Sequence, residues 1–126
     1  MANIQLFDLA SRHATWLAAR QGSIAGNVAN ANTPGFRATD IEAFSATLDQ
    51  TKLTLATTQA GHVTDARAAA YRVDEIQGQS WETQHSGNSV SLEQEMIKAG
   101  EVKGAFSLNT AIVKSFHRML LMSYKG

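Results

Sequence analysis

Between positions 26 and 36 the chain reads Gly-Asn-Val-Ala-Asn-Ala-Asn-Thr-Pro-Gly-Phe, and Pro34 is the sole proline of the sequence. Proline cannot continue a helix, and it also pushes the preceding Thr33 into extended geometry. A helix arriving from the N-terminal side must therefore end before Thr33. Pro34-Gly35 suits the centre of a type II turn, because proline presets the first dihedral and glycine accepts the positive φ of the second. Asn27, Asn30 and Asn32 carry short amides that bond nearby backbone, so they are expected to satisfy carbonyls orphaned at the helix end.

The segment entering this turn, from about Ile4 to Ala31, has apolar positions at three- and four-residue steps: Leu6, Leu9 or Ala10, His13 or Ala14, Leu17, Ile24 and Val28. It predicts one long helix with a single apolar stripe, Trp16 beside it, and Asp8 in the first turns favoured by the helix dipole. Gly22 and Gly26 each lower helicity by about 1 kcal/mol relative to alanine, so the helix needs a packing partner. Ile41, Phe44 and Leu48 predict a short helix between Arg37 and about Lys52. Leu53 to Ser89 loses that period: Leu53 to Thr58 alternates like a strand, and Gly61, Gly78 and Gly87 interrupt the remainder of the segment. Arg37 to Ser91 holds four basic and seven acidic residues, which predicts solvated surface.

A second long helix is announced by Ser91-Leu92-Glu93-Gln94, a capping-box form, with Glu95 at the positive end of the dipole. Leu92, Ala99, Phe106, Val113 and Leu120 fall seven apart, with Val102 and Phe116 three residues after their neighbours in the repeat. Met96 is assigned to the same packing surface. Residues 92 to 124 as one helix would span roughly 50 Å, too long to fold back into a compact globule of this size. The expected fold is mainly α: long N- and C-terminal helices forming a coiled-coil pair, with a short helix and an irregular or partly extended middle. Residues 1–36, 37–90 and 91–126 are its three parts, together one domain.

Composition narrows the function by exclusion. The 126 residues carry eleven charges of each sign, so no global field attracts nucleic acid or an anionic membrane. Trp16 and Trp81 lack a surrounding basic patch for base stacking. No membrane-length apolar run and no conventional secretory signal are present, and the absence of cysteine removes disulfides and thiolate chemistry. His13, His62, His85 and His117 fall in separate segments without metal-ligand spacing, and Glu93, Glu95 and Glu101 suit helix capping and solubility better than acid–base work. No nucleophile elbow, phosphate loop or dinucleotide fingerprint occurs. The sequence therefore assigns no catalytic, cofactor-binding or metal residues, no small-molecule substrate and no enzyme activity. Two apolar seams exceed what one short chain can bury alone. They call for assembly, as a helical filament or equally as a four-helix dimer acting as a soluble adaptor for partner helices.

Two strings carry a resemblance. Asn27, Val28, Ala29 and Asn30 followed by Thr33, Pro34, Gly35, Phe36 and Arg37 resemble the N-terminal signature of the axial proteins of the bacterial flagellum: rod, hook and hook-associated subunits. Asn32 stands where that family often has Asp, and Phe36 where it often has Tyr. Gly87-Asn88-Ser89-Val90-Ser91-Leu92-Glu93-Gln94-Glu95-Met96 is similar to an element of proximal rod subunits, so the chain resembles the flagellar basal-body rod protein family. The resemblance implies a structural subunit whose terminal helices build the inner coiled-coil layer of a periplasmic rod, linking membrane ring and export gate to the distal rod and transmitting torque. It also implies export by the flagellar type III system without signal cleavage. Partners implied are further copies of the chain, other rod proteins, the rod-base adaptor FliE and the ring and export-gate proteins. Asn27, Asn30, Thr33, Pro34, Gly35 and Phe36 would then fix the helix end. Leu6, Leu17, Ile24, Val28, Leu92, Met96, Val102, Phe106, Val113, Phe116 and Leu120 would pack between helices. Gly100 and Gly104 are unusual for the second helix of such a protein.

Overall fold

A computed structural model describes residues 2–49, 73–75 and 84–126. The described elements are α1 (Ala2–Ala29), β1 (Thr39–Ile41), a short helix α2 (44–49), β2 (Val73–Glu75) and α3 (Leu92–Lys125). The chain is mainly helical, with two long helices packed side by side and a short one between them in sequence. The alternating stretch from Leu53 to Thr58 lies outside the described residues.

α1 stops where the proline demands. After Ala29 the backbone tightens: Ala31 N–H donates to Val28 O and Thr33 N–H to Asn30 O, both three residues back. Phe36 N–H then donates to Thr33 O, and Gly35 between them has φ +74°, as a type II Pro-Gly turn requires. One detail at the other end differs from expectation. The helix begins at Ala2 and has no acid in its first turn. Asp8 sits deeper and pairs with Arg12 at 2.9 Å across one helical turn, both well exposed.

The helix predicted from Arg37 to about Lys52 begins later than expected, its start being extended. Thr39–Ile41 pairs antiparallel with Val73–Glu75, Asp40 opposite Asp74, and among the described residues of this stretch the helix occupies 44–49. Contacts from distant parts of the chain hold this stretch: Ala38 N–H donates to Ser89 Oγ and Thr39 N–H to Asn27 Oδ1, while Ile41 N–H donates to the adjacent Asp40 Oδ1. α2 is held to α1 by rings: Phe44 lies 4.8 Å from His13 and 5.9 Å from Trp16, whose indole N–H donates to Glu42 O.

α3 runs unbroken for 34 residues through Gly100 and Gly104, about 51 Å at 1.5 Å per residue. Ser91 caps it in extended geometry, its hydroxyl accepting from Gln94 N–H at 3.4 Å, with Glu93 and Glu95 in the first turn and Lys125 in the last. The two long helices run antiparallel. Leu17 and Ile24 pack with Val102, Asn109 Nδ2 donates to Ala10 O at 3.1 Å, and Phe7 meets Phe116 edge-on at 5.6 Å. On α1 the buried column is Ala10, Leu17 and Ile24, seven residues apart, a coiled-coil spacing that Ala31 continues in the turn beyond the helix.

Candidate functional site

The two strings that carry the family resemblance are 50 or more residues apart in sequence and interlock in space. Asn27 is fully buried: its amide donates to Thr39 O at 2.7 Å, while its oxygen accepts from Thr39 N–H and Thr39 Oγ1. It therefore ties α1 to β1 rather than capping its own helix. Asn30 does the capping, donating back to Gly26 O at 2.9 Å and accepting from Thr33 Oγ1. Asn32 is exposed.

The remaining carbonyls of the helix end are served from the second string. Asn88, 1% exposed, aims its amide nitrogen at three carbonyls, Asn30 O at 2.9 Å, Ala31 O at 3.0 Å and Thr33 O at 2.8 Å. Its oxygen accepts from Val90 N–H at 2.8 Å. Ser89 N–H donates to Phe36 O, and Gly35 N–H donates to Ser86 O. Gly87 has φ +81°, and a Cβ placed on it would lie 3.6 Å from Gly35 Cα, so the two turns meet backbone to backbone. Phe36 closes the clasp from below, packing on Ala31, Ala38 and Val90.

Beside the clasp, five charges join three elements. Arg20 reaches Asp40 Oδ2 at 3.3 Å and Glu101 Oε2 at 3.3 Å, and it also stands over the Trp16 ring. Lys98 bonds Glu95 Oε1 at 3.2 Å and approaches Asp40 at 3.9 Å. Glu95 is 1% exposed, and its Oε2 has no hydrogen-bond partner. Buried charges of this kind stabilise little against an apolar replacement, but they are costly to break one at a time.

The packing residues named from sequence divide into two groups. Leu17, Ile24 and Val102 form the buried seam; Leu6, Val113, Phe116 and Leu120 are half-buried, and Phe116 meets Phe7. Val28, Leu92, Met96 and Phe106 are exposed in a single copy of the chain. On α3 the residues that meet α1 include Val102, Asn109 and Phe116; Val102 and Phe116 belong to the predicted repeat, and the polar Asn109 between them does not. Of the turn motif, Val28, Ala29, Thr33, Pro34 and Gly35 are exposed and Phe36 is half-buried. Arg20, Asp40 and Lys98 were not named as site residues from sequence, and Asn88, Ser89 and Glu95 entered only through the second string and the start of the helix. For Asn88 a signal existed, since an asparagine two residues before Val90 can form the Asx turn seen here.

No protein-family model matches the chain. It is similar to the flagellar basal body rod protein FlgB of Agrobacterium fabrum (strain C58), 45% identical over 130 residues that cover 99% of this chain and 96% of that protein. The chain belongs to the FlgB family of flagellar basal body rod proteins. It is thus a structural subunit of the basal body rod. In this FlgB-family chain no helix among the described residues is long and apolar enough to cross a membrane. The clasp and the charge cluster accordingly read as the parts that hold a two-helix rod subunit in one shape.

Proposed function

We propose that the chain polymerises through the outer faces of α1 and α3 into the proximal rod, where it links the membrane ring and export gate to the distal rod and transmits torque. The observation that carries this reading is the surplus of apolar surface on α3. Leu92, Met96, Ile97, Phe106, Leu108, Ile112, Met119, Leu121, Met122 and Tyr124 are all exposed in one copy. So many exposed large apolar side chains on one helix are unusual for an isolated soluble protein, and helices of neighbouring copies would bury them. The same reading includes contacts with other rod proteins, FliE and the export gate, and delivery by type III export without a cleaved signal. The clasp residues Asn27, Asn30, Thr33, Pro34, Gly35 and Phe36 fix the helix end, and Leu6, Leu17, Ile24, Val28, Leu92, Met96, Val102, Phe106, Val113, Phe116 and Leu120 pack between helices, within or between copies.

The test is to purify basal bodies from cells that carry a tagged copy in place of the native gene. The tagged chain is expected in the rod fraction, with motility lost when the gene is deleted. A chain recovered as a stable cytoplasmic dimer, with none in basal bodies, would overturn the rod reading in favour of an adaptor.

A further inference from the structure

The balanced charge of the chain hides a segregation. Glu101 is the last acidic side chain of the sequence, and Lys103, Lys114, Arg118 and Lys125 follow it, all exposed. The antiparallel register sets this basic run beside the start of α1, where Phe7 meets Phe116. From Ala2 to Ala14 that helix holds one acid, Asp8, which is paired with Arg12. Next to the cations runs an apolar row. Leu108, Ile112, Ser115, Met119 and Met122 recur at steps of four, three, four and three residues, which keeps them within about 80° of the helix circumference. Ser115 is exposed, and the four apolar side chains are between 45% and 67% exposed. Lys114, Arg118 and Lys125 line one edge of the row, and on its other edge Phe116 turns in to α1. The shallow depression among Ala111, Ile112, Ser115, Phe116 and Met119 is lined by α3 alone, so the row stands on the rounded outer side of one helix and not in a cleft between two.

An exposed apolar row edged by cations and free of acids is the pattern of a helix that lies in a lipid–water interface, with its apolar side chains at the acyl boundary and its lysines and arginines reaching the headgroup phosphates. A rounded face suits a soft, deformable surface better than it suits a rigid helix, which packs ridges into grooves. We propose that a free copy of the chain binds the surface of an anionic bilayer through the Leu108 to Lys125 segment of α3. The helix lies in the plane of the membrane, Leu108, Ile112, Met119 and Met122 enter the interface, and Lys114, Arg118 and Lys125 sit on phosphodiester headgroups. The contact is peripheral, since no helix among the described residues is long and apolar enough to span a membrane. It is also local and oriented: residues 1–101 hold all eleven acids and seven of the eleven bases, so the negative remainder of the chain turns away from the headgroups. The inference goes beyond the rod reading and does not depend on it. Neighbours in an assembly would cover the same face, so lipid contact belongs to the copy that has not yet been built in.

The test uses the full-length chain and vesicles of phosphatidylcholine with and without phosphatidylglycerol. In flotation the chain should bind the anionic vesicles at least tenfold more tightly than the neutral ones, and high salt should weaken that binding. Lys114→Glu combined with Arg118→Glu should lower it at least tenfold, and Met119→Gln combined with Met122→Gln should bring a comparable loss. All four side chains are exposed, so circular dichroism should show both variants as helical as the parent chain. The chain contains no cysteine, so a polarity-sensitive dye reports only introduced positions. On Met119→Cys it should brighten with anionic vesicles, and on Thr15→Cys, exposed nearly half a turn away from Leu17 on α1, it should not. Absence of binding to anionic vesicles overturns the proposal, as do equal binding to both vesicle types and charge reversals without effect. A dye that responds at Thr15 and not at Met119 overturns it by moving the lipid contact to another surface. A chain that ignores vesicles but associates with itself, and loses that association in the Met119→Gln/Met122→Gln variant, overturns it in favour of a neighbouring helix on this face. Recovery of the tagged chain in basal bodies is scored separately, so failure of lipid binding leaves the rod reading standing and failure of incorporation leaves the lipid result standing.

Discussion

The side-chain amide of Asn88 donates to the backbone carbonyl of Asn30 at 2.9 Å across 58 residues of sequence, and the same nitrogen reaches Ala31 O and Thr33 O. One buried asparagine thus satisfies the carbonyls that a proline-terminated helix leaves open, and it does so from the residues that lead into the other long helix. Asn88→Ala should lower stability by about 2–4 kcal/mol, since buried acceptors lose their donor and Val90 N–H its acceptor. Asn88→Asp should cost more, because it sets an acceptor-only group against three carbonyls. Urea denaturation followed by circular dichroism measures both. A loss under about 0.5 kcal/mol for both variants, less than one ordinary hydrogen bond, would mean that the clasp is not what holds the helix ends together.

The turn itself invites a finer test. Gly35 needs positive φ and lies backbone to backbone against Gly87. Gly35→Ala should cost about 1 kcal/mol or more through strain alone. Pro34→Ala keeps the glycine and removes only the rigid entry to the turn, so it should destabilise less. In cells it should reduce rod assembly more than appearance of the chain outside the cytoplasm, as read by fractionation. Lost secretion with normal incorporation of the exported fraction would reverse that assignment.

Much of this architecture was legible in the residues. Pro34-Gly35 dictated the stop and the turn, Ser91 dictated the start of α3, and heptad spacing predicted two helices with seams. What spacing could not decide was how the predicted repeat of α3 divides between α1 and the outside: Val102 and Phe116 meet α1, whereas Leu92 and Phe106 are exposed. Asn109, between Val102 and Phe116, is an amide, which a search for apolar repeats passes over. The same blindness put Val28 on the stripe of α1, where the neighbouring Asn27 is the residue fully buried. The helix expected over 37–41 gives way to extended backbone that pairs with Val73–Glu75 and is tied to Asn27 and Ser89, partners that lie far away in sequence.

The charge cluster makes a prediction by asymmetry. Lys98→Met leaves Glu95 buried without its cation and should cost about 3–5 kcal/mol. Glu95→Leu combined with Lys98→Met removes both charges, and the pair should return to within about 1 kcal/mol of the parent chain. Thermal melts of the single and double variants form the cycle. Equal losses in both would show that Lys98 acts mainly through Asp40 instead.

Val113 is half-buried and is one of the residues proposed above to pack between helices. Under that proposal Val113→Asp puts a carboxylate into a dry contact, a change expected to block rod assembly. Cells carrying it should be non-motile and lack the chain in purified basal bodies, even where the protein accumulates. Normal rods in such cells would refute the assignment of Val113 to a dry interface.

Leu17 and Phe106 offer the sharpest separation between holding one copy together and joining copies. Both line one groove between the long helices, but Leu17 is 1% exposed and Phe106 is 47% exposed. Leu17→Ala removes buried methyl groups from a small core and should cost about 2–5 kcal/mol of stability in the isolated chain. Phe106→Ala should cost less than about 1 kcal/mol there, because half its ring already meets water. In assembly the order should reverse: conditions that keep both variants folded should show weaker self-association for Phe106→Ala, because its ring is available to a neighbour. Melting curves paired with sedimentation of both proteins decide the matter. Parent-like association of Phe106→Ala would move the contact between copies away from this groove.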